Sequence, residues 1–392
     1  MHRLWLYVVL FNSSFAFSQD SIWTARTTGK FPYIKYGIGD DRLGGAKMGF
    51  LDSNILLAIT DSLGTDYKLK LSKYHSAYIP KENVVLMKKV PSLRMVHNQD
   101  LSNAWKVFGD ADADYVMINL SKPVPYRSTQ LVNPSRVTVD LFGITSNTNW
   151  INQLSSAKEI RNIWYEQVED DLLRVIIELR HPQHWGHTIY YDSTGKKLFV
   201  KIKRQPPVLD IRKLRIAIDA GHGGDNNGTS GTKGSVVEKN YTLKLAREFE
   251  KTIKAAGVSK VFMTRTNDTT LSMVERMEML RQFNPDLLVS IHLNSADSDT
   301  VQGTSTYYRY IGFRTLSVAI LNQLLTLGLK EYGNIGSFNF ALNGPTDYPN
   351  ALIEVGFLTN RSDEKKIISP RFQKAVAQKI YLGIVNWLKQ VK

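Results

Sequence analysis

The spacing of apolar residues changes along the chain and divides it into two parts. From about residue 22 to residue 205, short runs alternate apolar and polar positions between turn residues, which is typical of antiparallel strands. Beyond Leu214, continuous apolar runs alternate with stretches in which apolar residues recur every three or four positions. Because buried strands that alternate with helices form a sheet covered on both faces, the pattern predicts an α/β unit after a β-rich unit.

The C-terminal part is expected to hold five strands and four helices. The first helix has Leu245, Phe249 and Ile253 at a spacing of four residues, and a glycine follows it. The expected strands span residues 215–220, 261–264, 287–292, 304–308 and 351–355, and the expected helices span 240–256, 271–283, about 314–331 and about 370–389. We therefore predict the fold class α/β, with a three-layer α/β/α domain over residues 213–392.

Two small all-β domains are expected before it, at residues 22–95 and 105–205. In the first, turn clusters at 37–40 and 61–64 separate short strands. In the second, residues 115–120, 136–141, 173–179 and 197–202 alternate well enough for the strands of a sandwich. Pro206 and Pro207 mark a linker, since tandem prolines cannot continue a strand ladder.

Composition narrows the partners and the chemistry. The formal net charge of +14 favours anionic polymers or surfaces, but the chain has no long lysine or arginine run, which argues against nucleic acid. It contains no cysteine, so disulfides and thiolate catalysis are excluded. Any bound metal must therefore be held by histidine, aspartate or glutamate.

The N-terminus has the layout of a secretory signal peptide. Arg3 supplies positive charge, residues 4–11 form a short apolar run, and Ala16 and Ser18 are small residues before a cleavage point at Ser18-Gln19. We therefore expect residues 1–18 to be removed and the protein to be periplasmic or secreted, without stable membrane insertion afterwards. A buried N-terminal strand is the alternative.

Four polar side chains lie at or near the ends of expected strands or the start of a helix. His222 follows the first strand of the C-terminal part, Glu238 precedes the first helix, His292 ends the third strand, and Glu354 lies at the end of the fifth. Open α/β sheets keep their sites at such strand ends. Two imidazoles and one carboxylate can hold zinc with one position left for water, and a second carboxylate can transfer protons during amide hydrolysis.

Each of these residues also has a structural interpretation. The histidines could be a turn residue and a strand cap, and the glutamates could be a helix-terminal acid and an ion-pair partner. A denser group, His181, His184 and His187, resembles a metal tract, but no acidic residue stands at ligand spacing and Pro182 and Gly186 indicate an irregular connection. We therefore place the expected metal site at the four dispersed residues.

Residues 213–392 resemble the catalytic domain of zinc-dependent N-acetylmuramoyl-L-alanine amidases, the group that includes the cell-separation amidases. The matching motifs occur in the family's order and spacing: residues 221–224, 238–239, 264–265, Arg276, residues 290–294 and residues 354–360. The resemblance implies that His222, Glu238 and His292 bind Zn²⁺ and that Glu354 is catalytic. It also implies hydrolysis of the amide bond between N-acetylmuramic acid and L-alanine in peptidoglycan.

Two positions depart from the family pattern. Residues 225–228 read Asp-Asn-Asn-Gly where members usually have Asp-Pro-Gly, which could change the backbone there without removing a ligand. Asn343 stands where many members have arginine, which leaves its part in substrate contacts open. Some members also carry a blocking helix after the second histidine. Residues 293–302 are too few for it, so we expect an open groove.

The N-terminal domains resemble known modules as well. Residues 22–95 resemble a bacterial SH3-like domain, with Ala77-Tyr78-Ile79 as a late strand, and an unrelated small barrel is the alternative. Residues 133–136 and 140–143 resemble the AMIN domain, a sandwich that places amidases of the family on the cell wall. The expected partner is therefore peptidoglycan, and no activator protein can be named. A non-catalytic wall-binding protein and another zinc peptidase remain the alternative functions.

Overall fold

The computed structural model describes residues 21–39, 44–91, 100–102 and 104–391. The expected signal peptide, residues 1–18, and its cleavage point lie outside this range. Within it, no helix is both long enough and apolar enough to cross a membrane.

The first seven strands form one antiparallel sheet, which we call the N-terminal sheet. Their bounds are β1 Ser21–Thr27, β2 Tyr33–Lys35, β3 Lys47–Phe50, β4 Leu56–Leu63, β5 Asp66–Lys70, β6 Ser76–Pro80 and β7 Val84–Pro91. The strand order is β3-β2-β6-β5-β4-β1-β7. Apolar positions such as Leu69 and Ile79 are fully buried, as alternating strands require. The resemblance of this region to SH3-like domains stays a prediction.

Strands between residues 100 and 203 build a second β unit. Their bounds are β8 Asp100–Ser102, β9 Trp105–Gly109, β10 Ala113–Asn119, β11 Tyr126–Leu131, β12 Arg136–Phe142, β13 Ile144–Ser146, β14 Ile151–Gln153, β15 Ile160–Glu169, β16 Leu172–Leu179, β17 His187–Tyr191 and β18 Lys197–Lys203. They form sheets of order β14-β9-β10-β18-β17, β11-β12-β16-β15 and β13-β8. Val116 of the first sheet and Val139 of the second are buried in one shared core, as in a sandwich.

The two β units are joined through their interiors. Their buried apolar side chains form one connected cluster that runs from Ala25 to Ile202. The backbone N–H of Leu56 donates to the carbonyl of Pro123 at 3.1 Å, and the N–H of Tyr191 donates to the carboxylate of Asp52 at 2.8 Å. The N-terminal half is therefore a single packed body in which two β units share a core.

The C-terminal part is an α/β unit, as its sequence pattern predicts. Its strands are β19 Arg215–Ala220, β20 Lys260–Met263, β21 Leu287–Asn294, β22 Thr304–Tyr307, β23 Glu331–Ile335 and β24 Asn350–Phe357, and its helices are α1 Glu238–Ala255, α2 Met273–Phe283, α3 Arg314–Leu325, α4 Arg361–Ile367 and α5 Pro370–Gln390. The sheet has the order β20-β19-β21-β24-β22-β23. All its pairs are parallel except β22 with β24.

Helices cover this sheet unequally. Side chains of α1, α3 and α5 pack with Ile216 and Ile218 of β19 in one large core. Ala217, which points to the opposite face, packs with Met277 and Leu280 of α2 in a smaller core. Phe31 and Phe50 of the N-terminal half pack against that smaller core. The sheet thus has both faces covered, and the N-terminal half helps α2 to cover the thinner side.

Three details differ from the sequence expectation. The helix expected to reach residue 331 ends at Leu325, because Gly328 adopts a left-handed φ of 72° and turns the chain. The residues beyond form β23, an edge strand of the sheet. Helix α4 was not expected. Asn360 begins it by accepting hydrogen bonds from the N–H groups of Ser362 and Asp363.

Candidate metal centre

Three of the four predicted site residues meet at one point beyond the strand ends. The ligand-type atoms of His222, Glu238 and His292 all lie within 4.8 Å of one another. Oε1 of Glu238 lies 3.1 Å from Nε2 of His222 and 3.2 Å from Nδ1 of His292. Two ring nitrogens and a carboxylate oxygen therefore converge, and this group could hold a metal ion.

His222 projects from the loop after β19 in an unusual backbone conformation. Its φ is 62°, a left-handed value that is uncommon for a residue other than glycine. Nδ1 of its ring lies 2.9 Å from the amide oxygen of Asn226, which leaves Nε2 facing Glu238. Asn226 therefore orients the ring, as hydrogen bonds to the far nitrogen do in metal sites. Sequence reasoning noted the change at 225–228 but missed this role.

Glu238 is the first residue of α1 and is almost fully buried. Its Oε2 accepts a hydrogen bond from the N–H of Thr229, and its Oε1 accepts one from the N–H of Leu293. Burial raises the pKa of this carboxyl, but the hydrogen bonds and charge of the two histidines outweigh burial and hold it well below its usual range. The side chain is thus an anion at neutral pH, aided by the helix N-terminus.

Two glycines make room for these side chains. A Cβ on Gly221 would lie 2.3 Å from the ring of His292, and a Cβ on Gly228 would lie 2.3 Å from Oε2 of Glu238. Any larger residue would displace a member of the cluster. Gly221 of the 221–224 motif and Gly228 of the following loop therefore permit close approach of the ligand-type side chains.

Glu354 is brought to the same edge by strand register. In the parallel pair β21–β24, His292 and Glu354 are direct partners. Side chains of paired residues point to the same face of a sheet, so Glu354 stands beside His292. It is 6% exposed. The structure thus places the fourth predicted residue next to the cluster.

Two buried arginines support the His222 loop from beneath. Arg276 donates to the carbonyl of His222 at 2.6 Å and to the carboxylate of Asp219 at 2.6 Å. Arg265 donates to the carbonyls of Ala220 and Gly221 at 2.9 Å each. Burial raises the pKa of Asp219, but Arg276 and its other partners outweigh it and lower that pKa. The two arginines of the sequence motif therefore hold the backbone that carries His222.

Asn343 does not reach the cluster. It is 1% exposed, and its amide group donates to the carbonyl of Tyr307 and to Oδ1 of Asn350. It therefore acts as a structural link beneath the site.

The surface next to the His–Glu–His cluster is aromatic. Phe340 stacks on His292 with ring centroids 6.2 Å apart. Residues 295–303, where the blocking helix of some family members would follow, form bends and turns, with no helix in this described segment.

The dense histidine group at 181–187 serves packing. The ring of His184 contacts the carbonyl of Leu131 and the hydroxyl of Ser135, and that of His187 contacts the hydroxyl of Ser128. Burial lowers the pKa of His184 to about 4 and that of His187 to about 3. His181 pairs with Glu159 instead. These side chains therefore point to separate partners and converge on no common point.

An α/β/α layer with a His–Glu–His cluster beyond its parallel strands defines the class: an α/β domain with a candidate metal centre. Family comparisons narrow that class. Residues 216–386 match the family model of N-acetylmuramoyl-L-alanine amidases, and residues 106–202 match the AMIN domain. The C-terminal α/β domain is therefore similar to N-acetylmuramoyl-L-alanine amidases and the second β unit to AMIN domains, as the motifs predicted.

Several individual proteins are similar to parts of this chain. A probable cell wall amidase LytH of Staphylococcus epidermidis is 32% identical over 181 residues, which are 46% of this chain and 59% of that protein. The N-acetylmuramoyl-L-alanine amidase AmiC of Neisseria meningitidis is 24% identical over 351 residues, which cover 67% of this chain and 84% of that protein. The solved catalytic domain of CwlV, an amidase from Bacillus (Paenibacillus) polymyxa, is 32% identical, with a TM-score of 0.43 over 45% of this chain and 98% of that one.

Proposed function

We propose that this protein hydrolyses the amide bond between N-acetylmuramic acid and L-alanine in peptidoglycan, with Zn²⁺ held by His222, Glu238 and His292. The observation that carries the proposal is the convergence of three ligand-type atoms within 4.8 Å, inside the segment that matches the amidase family. Two neutral imidazoles and one carboxylate are a common protein ligand set of catalytic zinc. The cysteine-free composition is consistent with such a set.

The donor set fits zinc in further respects. Glu238 is ionised, and its Oε1 already faces both ring nitrogens. Asn226 fixes the ring of His222 from its far side, which reduces the reorganisation that ligand binding requires. Zinc bound by these residues would supply Lewis acidity, which activates water and polarises a carbonyl group.

Glu354 is assigned as the general base and acid. Its place beside His292 puts a carboxylate near the reacting water without requiring it as a ligand. It would accept a proton from the attacking water and deliver it to the leaving nitrogen of L-alanine. Three residues therefore hold the metal, and one moves the proton.

The expected setting is the cell wall. The AMIN match and the similarity to AmiC of Neisseria meningitidis support a periplasmic or secreted location. We propose that residues 1–18 are a signal peptide cleaved near Ser18-Gln19 and that the β units bring the α/β domain to peptidoglycan. The excess of basic residues suits an anionic wall.

The test is a digest of purified sacculi by residues 19–392, with and without a zinc chelator. The proposal predicts release of free stem peptides with L-alanine at the N-terminus, seen by mass spectrometry, and loss of release on chelation that added zinc restores. Products cut between amino acids would indicate another zinc peptidase. Binding to sacculi without any release would indicate a wall-binding protein.

A further inference from the structure

An aromatic surface borders the candidate metal centre. The ring of Phe340 lies nearly parallel to that of His292, at an interplanar angle of 12°. Phe338 lies 4.3 Å from Phe340 between ring centroids, and Tyr307 lies 4.7 Å from Phe338. We call Tyr307, Phe338 and Phe340 the aromatic shelf. Its two phenylalanines are half-buried, which leaves part of each residue exposed at the surface.

The segment that carries these phenylalanines lacks regular structure of its own. It follows β23, which ends at Ile335, and Ser337 has a left-handed φ of 55°. Gly336 and Ser337 are exposed. Two backbone hydrogen bonds anchor it within the α/β domain: the N–H of Phe338 donates to the carbonyl of Tyr308, and the N–H of Asn343 donates to the carbonyl of Phe340. Between these two anchors lies Asn339, whose side chain makes further contacts outside the α/β domain.

The N-terminal sheet supplies those contacts through Asn339. The N–H of Lys47 donates to Oδ1 of Asn339 at 3.1 Å, and Nδ2 of Asn339 donates to the carbonyl of Gly45 at 3.1 Å. The guanidinium of Arg309 donates to Oδ1 of Asn339 at 3.2 Å and also to the carbonyl of Lys47. We call Gly45, Lys47, Arg309 and Asn339 the clasp.

The clasp can fix the position of the aromatic shelf because Asn339 lies between Phe338 and Phe340 in the chain. The amide of Asn339 contacts the N-terminal sheet. The ring of the next residue, Phe340, stacks on His292, and the ring of the preceding residue, Phe338, packs against Phe340. The amide of Asn339 is held at both its oxygen and its nitrogen, which fixes its orientation as well as its position.

We propose that the N-terminal sheet positions the aromatic shelf at the metal centre through Asn339, so that the substrate groove is built by both halves of the chain. Asn339 is then a positioning residue, and Phe340 contacts the apolar part of the substrate beside the scissile amide. This inference rests on the proposed function. It assigns the N-terminal half a role in holding substrate, in addition to bringing the enzyme to the wall.

The experiment compares Asn339→Ala with the unaltered chain, both as residues 19–392, on a soluble muropeptide. Zinc content should be unchanged, while KM rises about tenfold and kcat changes by less than about threefold, because loss of uniform binding appears in KM. Arg309→Ala should give a smaller change of the same kind. In the double variant the two effects should be less than additive, because both residues belong to one network.

A second measurement does not depend on turnover. In a Glu354→Gln background, the Kd for the intact muropeptide should also rise about tenfold when Asn339 is replaced. If the unaltered chain shows no hydrolysis but Asn339→Ala still raises this Kd, the proposed reaction fails and the positioning role stands. If hydrolysis is normal and neither KM nor Kd changes, the positioning role is refuted alone.

Two control variants separate positioning from stability. Asn334→Ala removes hydrogen bonds to Thr306 and Ser317 within the α/β domain, and it should lower Tm while KM stays unchanged. Lys30→Ala removes an ion pair with Glu278 that joins the same two halves away from the clasp, and it should change neither quantity. An equal rise of KM in either control would overturn the proposal, as would loss of zinc from Asn339→Ala.

Discussion

The chain contains two groups of histidines, one whose side chains have separate partners and one whose side chains converge on a common point. Residues 181–187 place three histidines within one turn-rich segment, yet each finds a separate hydrogen-bond partner. His222 and His292 are far apart in sequence, yet the parallel strands β19 and β21 bring them to one edge with Glu238 between them. Proximity along a chain is therefore a poor guide to a metal site, because ligands must converge in direction as well as in position.

The pKa shifts of His184 and His222 also distinguish the two groups. Burial without an acidic partner lowers the pKa of His184 to about 4. Burial also lowers the pKa of His222, but Glu238 outweighs it and the net shift is upward. Burial thus favours the neutral form of His184 and His187, whereas Glu238 favours the charged form of His222.

The most decisive test of this difference is to replace single histidines of each group with alanine. His222→Ala and His292→Ala should each lose bound zinc and all amidase activity, since two remaining ligands rarely hold a catalytic ion. His181→Ala should keep both, because its side chain is part-exposed and directed at Glu159. Metal analysis of the purified variants decides the matter. Stoichiometric zinc in either His222→Ala or His292→Ala would mean that the zinc ligands lie elsewhere, and residues 181–187 would be the next candidates.

A substitution beside the cluster sharpens the comparison by separating metal binding from turnover. Glu354→Gln should retain zinc and stability while kcat falls by about 10²- to 10⁴-fold, the usual contribution of a general acid–base group. The amide nearly preserves the shape of the side chain and removes only its proton-transfer capacity. Single-turnover rates on a soluble muropeptide measure the effect. Near-normal turnover in this variant would contradict the assignment.

The smallest expected effect concerns the packing histidines and appears in stability. His184 and His187 have pKa values lowered to about 4 and about 3, whereas in the unfolded chain both bind protons near pH 6.5. The folded state therefore has its full advantage above pH 6.5 and loses it as pH falls toward 4. At pH 5, each histidine should reduce the free energy of unfolding by on the order of 2 kcal/mol.

Denaturant titrations at pH 7.5 and pH 5 measure this. His184→Gln should shrink the difference between the two pH values by on the order of 2 kcal/mol. Trp387→Phe is the matched control, because it removes a hydrogen bond to Gln183 at the same junction without removing a titratable group. Trp387→Phe should lower the free energy of unfolding equally at both pH values. A pH dependence in His184→Gln equal to that of the unaltered chain would refute the assignment.

The sequence was a good guide where chemistry depends on strand ends. His222 and His292 follow or end buried runs, and the sheet places such positions together, so the cluster could be predicted from pattern. Glu354 was predicted from its strand end in the same way, and Glu238 from its place at the start of the first helix. These residues are visible because a parallel sheet converts regular sequence spacing into spatial proximity.

Side-chain partners across loops were not predictable in that way. The bond from Asn226 to His222, the support of Arg265 and the clasp at Asn339 depend on contacts that no periodicity encodes. Asn343 was weighed as a substrate contact from its position alone, and it is buried under Tyr307 and Asn350. Strand β23 was not predicted, because its residues Glu331–Ile335 lack a clear apolar alternation.

The contacts at the junction between the AMIN unit and the α/β domain determine whether the two units can move independently. Gln183 donates to the carbonyl of Gly312, Trp185 packs on Trp387 at 5.1 Å, and the N–H of His187 donates to the carbonyl of Thr346. A flexible tether would let a catalytic head sweep many bonds around one anchor point. A fixed joint would instead keep a constant distance between the two units, so that under the proposed function the whole molecule would have to move to reach each new bond.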